Sequence, residues 1–116
     1  MTAPPNLTIA EFQRRTTALL ALVAHPRVLA AVALMEETGE LAKLVLEHEG
    51  YGQPLDKKKL AGELADIAVA LAELASRYEV DLEEACEDKL ADLQTRVPKW
   101  IEKLGPALEK ARKRLD

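Results

Sequence analysis

Side chains suited to the inner face of a helix recur every three or four positions along most of this chain, beginning with Ile9, Phe12, Thr16, Leu19, Leu20 and Val23. A strand would need alternation every second residue, so this periodicity predicts an all-α fold. Composition points the same way. Apolar residues make up 48% of the sequence but aromatics only 3%, and Ala and Leu supply most of the rest. These unbranched side chains lose little rotamer freedom on a helix. At 116 residues the chain fits one domain.

The formal net charge is -4, with neither a basic arm nor a basic-aromatic stripe, so no polynucleotide partner is expected. The longest apolar runs, Ala18 to Ala24 and Val28 to Met35, are too short to span a bilayer. The first residues lack the basic and apolar regions of a signal peptide, and a cytoplasmic location is expected. Cys86 is the single cysteine, so no internal disulfide is possible. Its place in a helical pattern reads as a small buried hydrophobe.

Residues 1–7, with Pro4 and Pro5, read as a flexible lead. Thr8 and Glu11 have capping-box spacing, starting a helix that stops at His25-Pro26. Pro26 suits the first turn of a second helix running to about His48, before Gly50 and Gly52. Asp56 is placed to cap a third, over about Lys57 to Tyr78, and Asp81 with Glu84 a fourth, from Leu82 to about Arg96. Pro98 predicts an interruption, and Lys99 to Arg114 a further segment kinked or broken at Gly105-Pro106. The expected organisation is thus a lead over 1–7, a helical domain over 8–98 and a C-terminal helix or tail over 99–116.

The chemistry lies where acids enter apolar stripes. At 100° per residue, Glu37 falls between Ala33 and Leu41, and Glu40 between Ala33 and Leu44. Glu63 and Asp66 stack on the face of Leu60, Ile67, Ala70, Leu71 and Leu74. Two acid pairs facing one helical interior repel unless protonated or bridged by cations. Hard oxygen donors without a sulfur or imidazole set favour Mg²⁺, with Mn²⁺ as substitute. Mg²⁺ completes its shell with water and substrate phosphate, which points to a phosphorylated ligand.

The stretch Glu36-Glu37-Thr38-Gly39-Glu40-Leu41, followed by Gly62-Glu63-Leu64-Ala65-Asp66, resembles the EExxE and ExxD motifs of the MazG-like all-α nucleoside triphosphate pyrophosphohydrolases. His25-Pro26-Arg27, Asp81 to Leu90, Arg96 and Pro98 extend the resemblance over most of the chain. It implies a bundle of four to five helices completed by oligomerisation, as a homodimer or homotetramer. It also implies Mg²⁺ held by Glu37, Glu40, Glu63 and Asp66, and conversion of a nucleoside triphosphate to monophosphate and pyrophosphate in nucleotide-pool housekeeping. By the same analogy Glu36 orients or deprotonates the attacking water, and Lys89 and Arg96 hold the triphosphate. Relatives acting on deoxycytidine nucleotides carry aromatic residues after the first motif and an Asn between the basic positions. Here Val45, Leu46 and Glu47, and then Leu93, stand in those places.

Plainer readings stand beside these. From the residues alone the four acids also read as solvated helix charges, Glu36 as a surface residue, and Lys57, Lys58 and Lys59 as a solvated face. Neither His25 nor His48 follows an acid by three positions, which argues against a ferritin-like di-iron bundle. Trp100 reads as packing for a terminal helix. Two rival functions remain at this point: a phosphoribosyl-ATP pyrophosphohydrolase-like enzyme of the same fold, and a non-catalytic interaction or regulatory module.

Overall fold

The computed structural model describes residues 6–116, so five of the seven residues expected to form a flexible lead lie outside it. The described residues form four helices and no strand: α1 (Ile9–Leu20), α2 (Val28–Glu49), α3 (Lys57–Arg77) and α4 (Leu82–Leu115). The all-α expectation holds. None of these helices is long and apolar enough to cross a membrane. The chain divides into two compact units, one up to Leu82 and the other from Glu83 onward.

In the first unit α3 packs against both α2 and α1. The helix starts follow the expected capping. Thr8 Oγ1 accepts from the Glu11 amide at 3.0 Å, and Asp56 Oδ1 accepts from the Lys58 and Lys59 amides at 3.1 Å each. Glu11 does not reach back to close the capping box but pairs with Arg14. That ion pair and hydrogen bond hold the Glu11 carboxyl below its usual range.

α1 ends at Leu20, before the Val23 expected from periodicity, and tighter turns follow as Leu22 and Val23 donate to Leu19 and Leu20 carbonyls. The approach to Pro26 explains this, because the residue before a proline is pushed out of the helical region. The Val23 carbonyl meets His25 Nδ1 at 3.1 Å. α3 closes with Glu79 in the left-handed region at φ 57 and the Val80 amide bonded back to the Ala75 carbonyl, a Schellman-type stop made without glycine. In the loop between α2 and α3 only Gly52, at φ 68, occupies a conformation that favours glycine.

The core is small and alanine-rich. Among the described residues Ala30, Leu44, Ala70, Ala72 and Ala75 are the buried apolar ones, and no large side chain is fully buried. Small residues permit close approach of α2 and α3, which brings the acids of these two helices near one another. The Gln13 side chain ties α1 to the far end of α3. Its Nε2 donates to the Val80 carbonyl at 2.7 Å and to Ser76 Oγ at 3.1 Å, while its Oε1 accepts from the Leu82 amide at 2.9 Å.

The second unit corrects the expected break at Pro98. α4 runs unbroken for 34 residues with Pro98 and Pro106 inside it, so the segment expected after Lys99 is the second half of the same helix. A mid-helix proline removes one hydrogen bond and crowds the preceding turn, at a cost of about 3 kcal/mol. On a helical projection both prolines lie off the stripe of Leu93, Val97, Ile101, Leu104 and Leu108, by about 100° and 180° from Val97. Both are exposed, so the freed carbonyls of Gln94 and Glu102 can take water, while the apolar stripe stays in phase across them. Cys86 is half-buried here rather than fully enclosed.

Candidate metal centre

Each acid reaches the site because a helix places it there. Glu37 on α2 and Glu63 on α3 are half-buried, and Asp66, one turn beyond Glu63, is exposed. One carboxylate oxygen from each of these three lies within 4.8 Å of the others. Among the described residues no Lys, Arg or His comes within 4.0 Å of any of them. Partial desolvation, followed by the charges of Asp66, Glu63, Glu40 and Glu36, holds the Glu37 carboxyl above its usual range. Three hard carboxylates converging without a protein counter-charge form a donor set that suits Mg²⁺ or Mn²⁺.

Glu40 is not one of this trio. It is exposed and lines a neighbouring hollow of about 60 Å³ with Lys43, Glu47, Lys59 and Glu63. Glu63 thus borders both features. Glu36 is exposed on the same helix. Lys57 and Lys58 are exposed, as a solvated helix start should be, and Lys59 faces the hollow.

Lys89 and Arg96 belong to α4, in the second unit. There both converge on Asp92: Arg96 NH1 donates to it at 3.1 Å and Lys89 Nζ lies 3.8 Å away. The Arg96 guanidinium also sits 5.0 Å from the centre of the Trp100 ring, a cation–π contact at an exposed site.

A second polar group on α3 was not singled out from the sequence. Glu73 is buried, with Oε1 2.6 Å from His25 Nε2 and 3.5 Å from Arg77 NH1. Arg77 NH2 in turn donates to the His25 carbonyl at 2.8 Å. These residues border a cavity of about 260 Å³ with Thr17, Leu20 and Ser76. They fasten the link between α1 and α2 onto α3, satisfying a buried carboxylate with an imidazole and a guanidinium. The same projection that picked Asp66 would have found Glu73, seven residues and two turns onward on one face.

An all-α unit with a carboxylate trio shared between two packed helices is the arrangement the fold and site define. The profile of the MazG nucleotide pyrophosphohydrolase domain matches residues 27–101, well over half of the sequence, and the chain belongs to that family. No curated protein and no solved structure matches it.

Proposed function

We propose that this protein hydrolyses a nucleoside or deoxynucleoside triphosphate to the monophosphate and pyrophosphate in a metal-dependent reaction. The observation that carries the reading is the convergence of Glu37, Glu63 and Asp66 within 4.8 Å, with no cationic side chain within 4.0 Å of them among the described residues. Glu40 completes the ligand set from the adjoining turn of α2. Mg²⁺ is the proposed ion, with Mn²⁺ as substitute. When bound it polarises phosphate oxygens and neutralises the charge that develops on them.

The chain's own groups supply the rest. Glu36 orients a water and takes its proton as the water oxygen bonds to one phosphorus of the α–β bridge, breaking the bridging P–O bond. Lys89 and Arg96 hold the triphosphate, Lys as a point charge and Arg through its planar fork. The wider role proposed is housekeeping of free nucleotides in the cytoplasm, by a homodimer or homotetramer. An oligomer is favoured by the many large apolar side chains left exposed, including Met35 at 74% and Leu22 at 83%.

The test is incubation of purified protein with Mg²⁺ and a panel of canonical and modified nucleoside triphosphates, with products separated by ion exchange. Monophosphate and pyrophosphate in equal amounts, lost in Glu63→Gln, are expected. Absence of turnover across the panel would instead favour a phosphoribosyl-ATP-type substrate or a non-catalytic module.

A further inference from the structure

The longest helix carries a well-formed apolar stripe. α4 covers 34 residues, about 50 Å at the α-helical rise, and none of its side chains is buried. Helices in proteins draw most of their stability from packing an amphipathic face. On α4 that face is well formed. Leu90, Leu93, Ile101, Leu104 and Leu108 project within about 40° of Val97 at 100° per residue, and Leu115 falls in line with it. Leu90, Ile101, Leu108 and Leu115 are 62%, 64%, 58% and 71% exposed.

The charges on the same helix are divided along its length. From Leu82 to Pro98 there are five acidic and two basic side chains, and from Lys99 to Leu115 six basic and two acidic. The halves therefore carry net charges of -3 and +4. Part of this pattern suits the helix dipole, which favours acids at the start and bases at the end, but that effect fades within the terminal turns. Asp88 and Asp92 on one side of the midpoint, and Lys99 and Lys103 on the other, lie beyond its reach. A parallel pairing of two such helices would set like charges together, whereas an antiparallel pairing sets each acidic half along a basic one.

We propose that α4 is a self-pairing element, packing its apolar stripe antiparallel against α4 of a second copy of this chain. This rests on the oligomeric part of the functional reading and supplies its surface and orientation. A two-fold axis between Pro98 and Lys99 sets Leu93 opposite the partner's Leu104 and Val97 opposite the partner's Trp100, both apolar matches. It also sets Cys86 opposite the partner's Ala111. Both prolines lie off the stripe and leave the contact clear. The pairing extends past Ile101, where the family match ends.

The native cysteine makes the register testable. In the full chain, Ala111→Cys treated with a short bis-maleimide linker should give a covalent dimer whose peptides map to Cys86 joined to the introduced cysteine. These positions are 25 residues apart on one helix, about 37 Å, so an internal link is out of reach. The unmodified chain should stay uncrosslinked, because two copies of Cys86 lie equally far apart in this arrangement. Leu104→Lys should weaken association at least tenfold while retaining helical circular dichroism. A Cys86-to-Cys86 product from the unmodified chain would overturn the antiparallel arrangement. A monomeric mass by light scattering at micromolar concentration would remove both the pairing and the oligomer. A dimer that fails to link in Ala111→Cys would leave the oligomer standing and remove α4 as its surface.

Discussion

The two ends of the acidic face of α3 treat their carboxylates in opposite ways. Near its start, Glu63 and Asp66 meet Glu37 with no cationic side chain within 4.0 Å among the described residues, and the Glu37 carboxyl is held above its usual range. About two turns later Glu73 is more deeply buried yet comfortably held, with His25 and Arg77 both on its Oε1. A buried acid that serves the fold brings its own counter-charge. An acid cluster that lacks one leaves its carboxylates repelling one another. The same helix therefore carries a finished structural ion cluster and an unfinished one.

Substitutions should separate the two. The largest expected effect is on turnover: Glu63→Gln should lower the rate of monophosphate formation by at least about 10²-fold, the scale on which even outer-shell partners of metal sites act. Steady-state assays at saturating Mg²⁺ would measure it, and a rate within threefold of the parent would erase the contrast. Next in size, Glu73→Ala should cost about 2 kcal/mol in urea unfolding, because it strips a charged hydrogen-bond partner from His25 and Arg77. Metal binding should survive that change. A smaller effect of opposite sign is expected from Glu37→Gln, which should raise the stability of metal-free protein by removing one repelling charge.

The pH dependence follows from the same carboxyl. Because the folded state holds the Glu37 proton more tightly than the unfolded chain, Glu37 makes metal-free protein lose stability as pH rises from the usual carboxylate range through the raised folded value. Thermal unfolding without metal should show this fall, and Glu37→Gln should flatten it. Saturating Mg²⁺ should also reduce it, since a cation that binds only the folded state adds stability where the carboxylates are ionised.

Much of this contrast was legible in the sequence, for reasons that also mark its limits. Helical projection needs only spacing, so it set Glu37, Glu63 and Asp66 on facing stripes, though Asp66 is exposed, and Thr8 and Asp56 were legible as caps because capping is local. Projection also sets Glu73 on the face of Asp66, but its structural role lies in His25, 48 positions away, and no local pattern links an acid to a distant loop. Glu40 projected onto the same stripe as Glu37 but lies exposed at the edge, since a projection gives direction and not the depth of the neighbouring helix. The break expected at Pro98 failed because a local rule about proline was set above the phase of the stripe. The apolar positions keep step on both sides of it, and that continuity was present in the sequence.

The claim that the unfinished cluster is a metal site is tested most directly by counting Mn²⁺ bound per chain, from the free-ion electron paramagnetic resonance signal. Mn²⁺ should bind the parent protein, be displaced by Mg²⁺, bind Glu73→Gln equally well, and bind Glu63→Gln far more weakly. Equal binding by the parent and Glu63→Gln, or no binding by either, would contradict it.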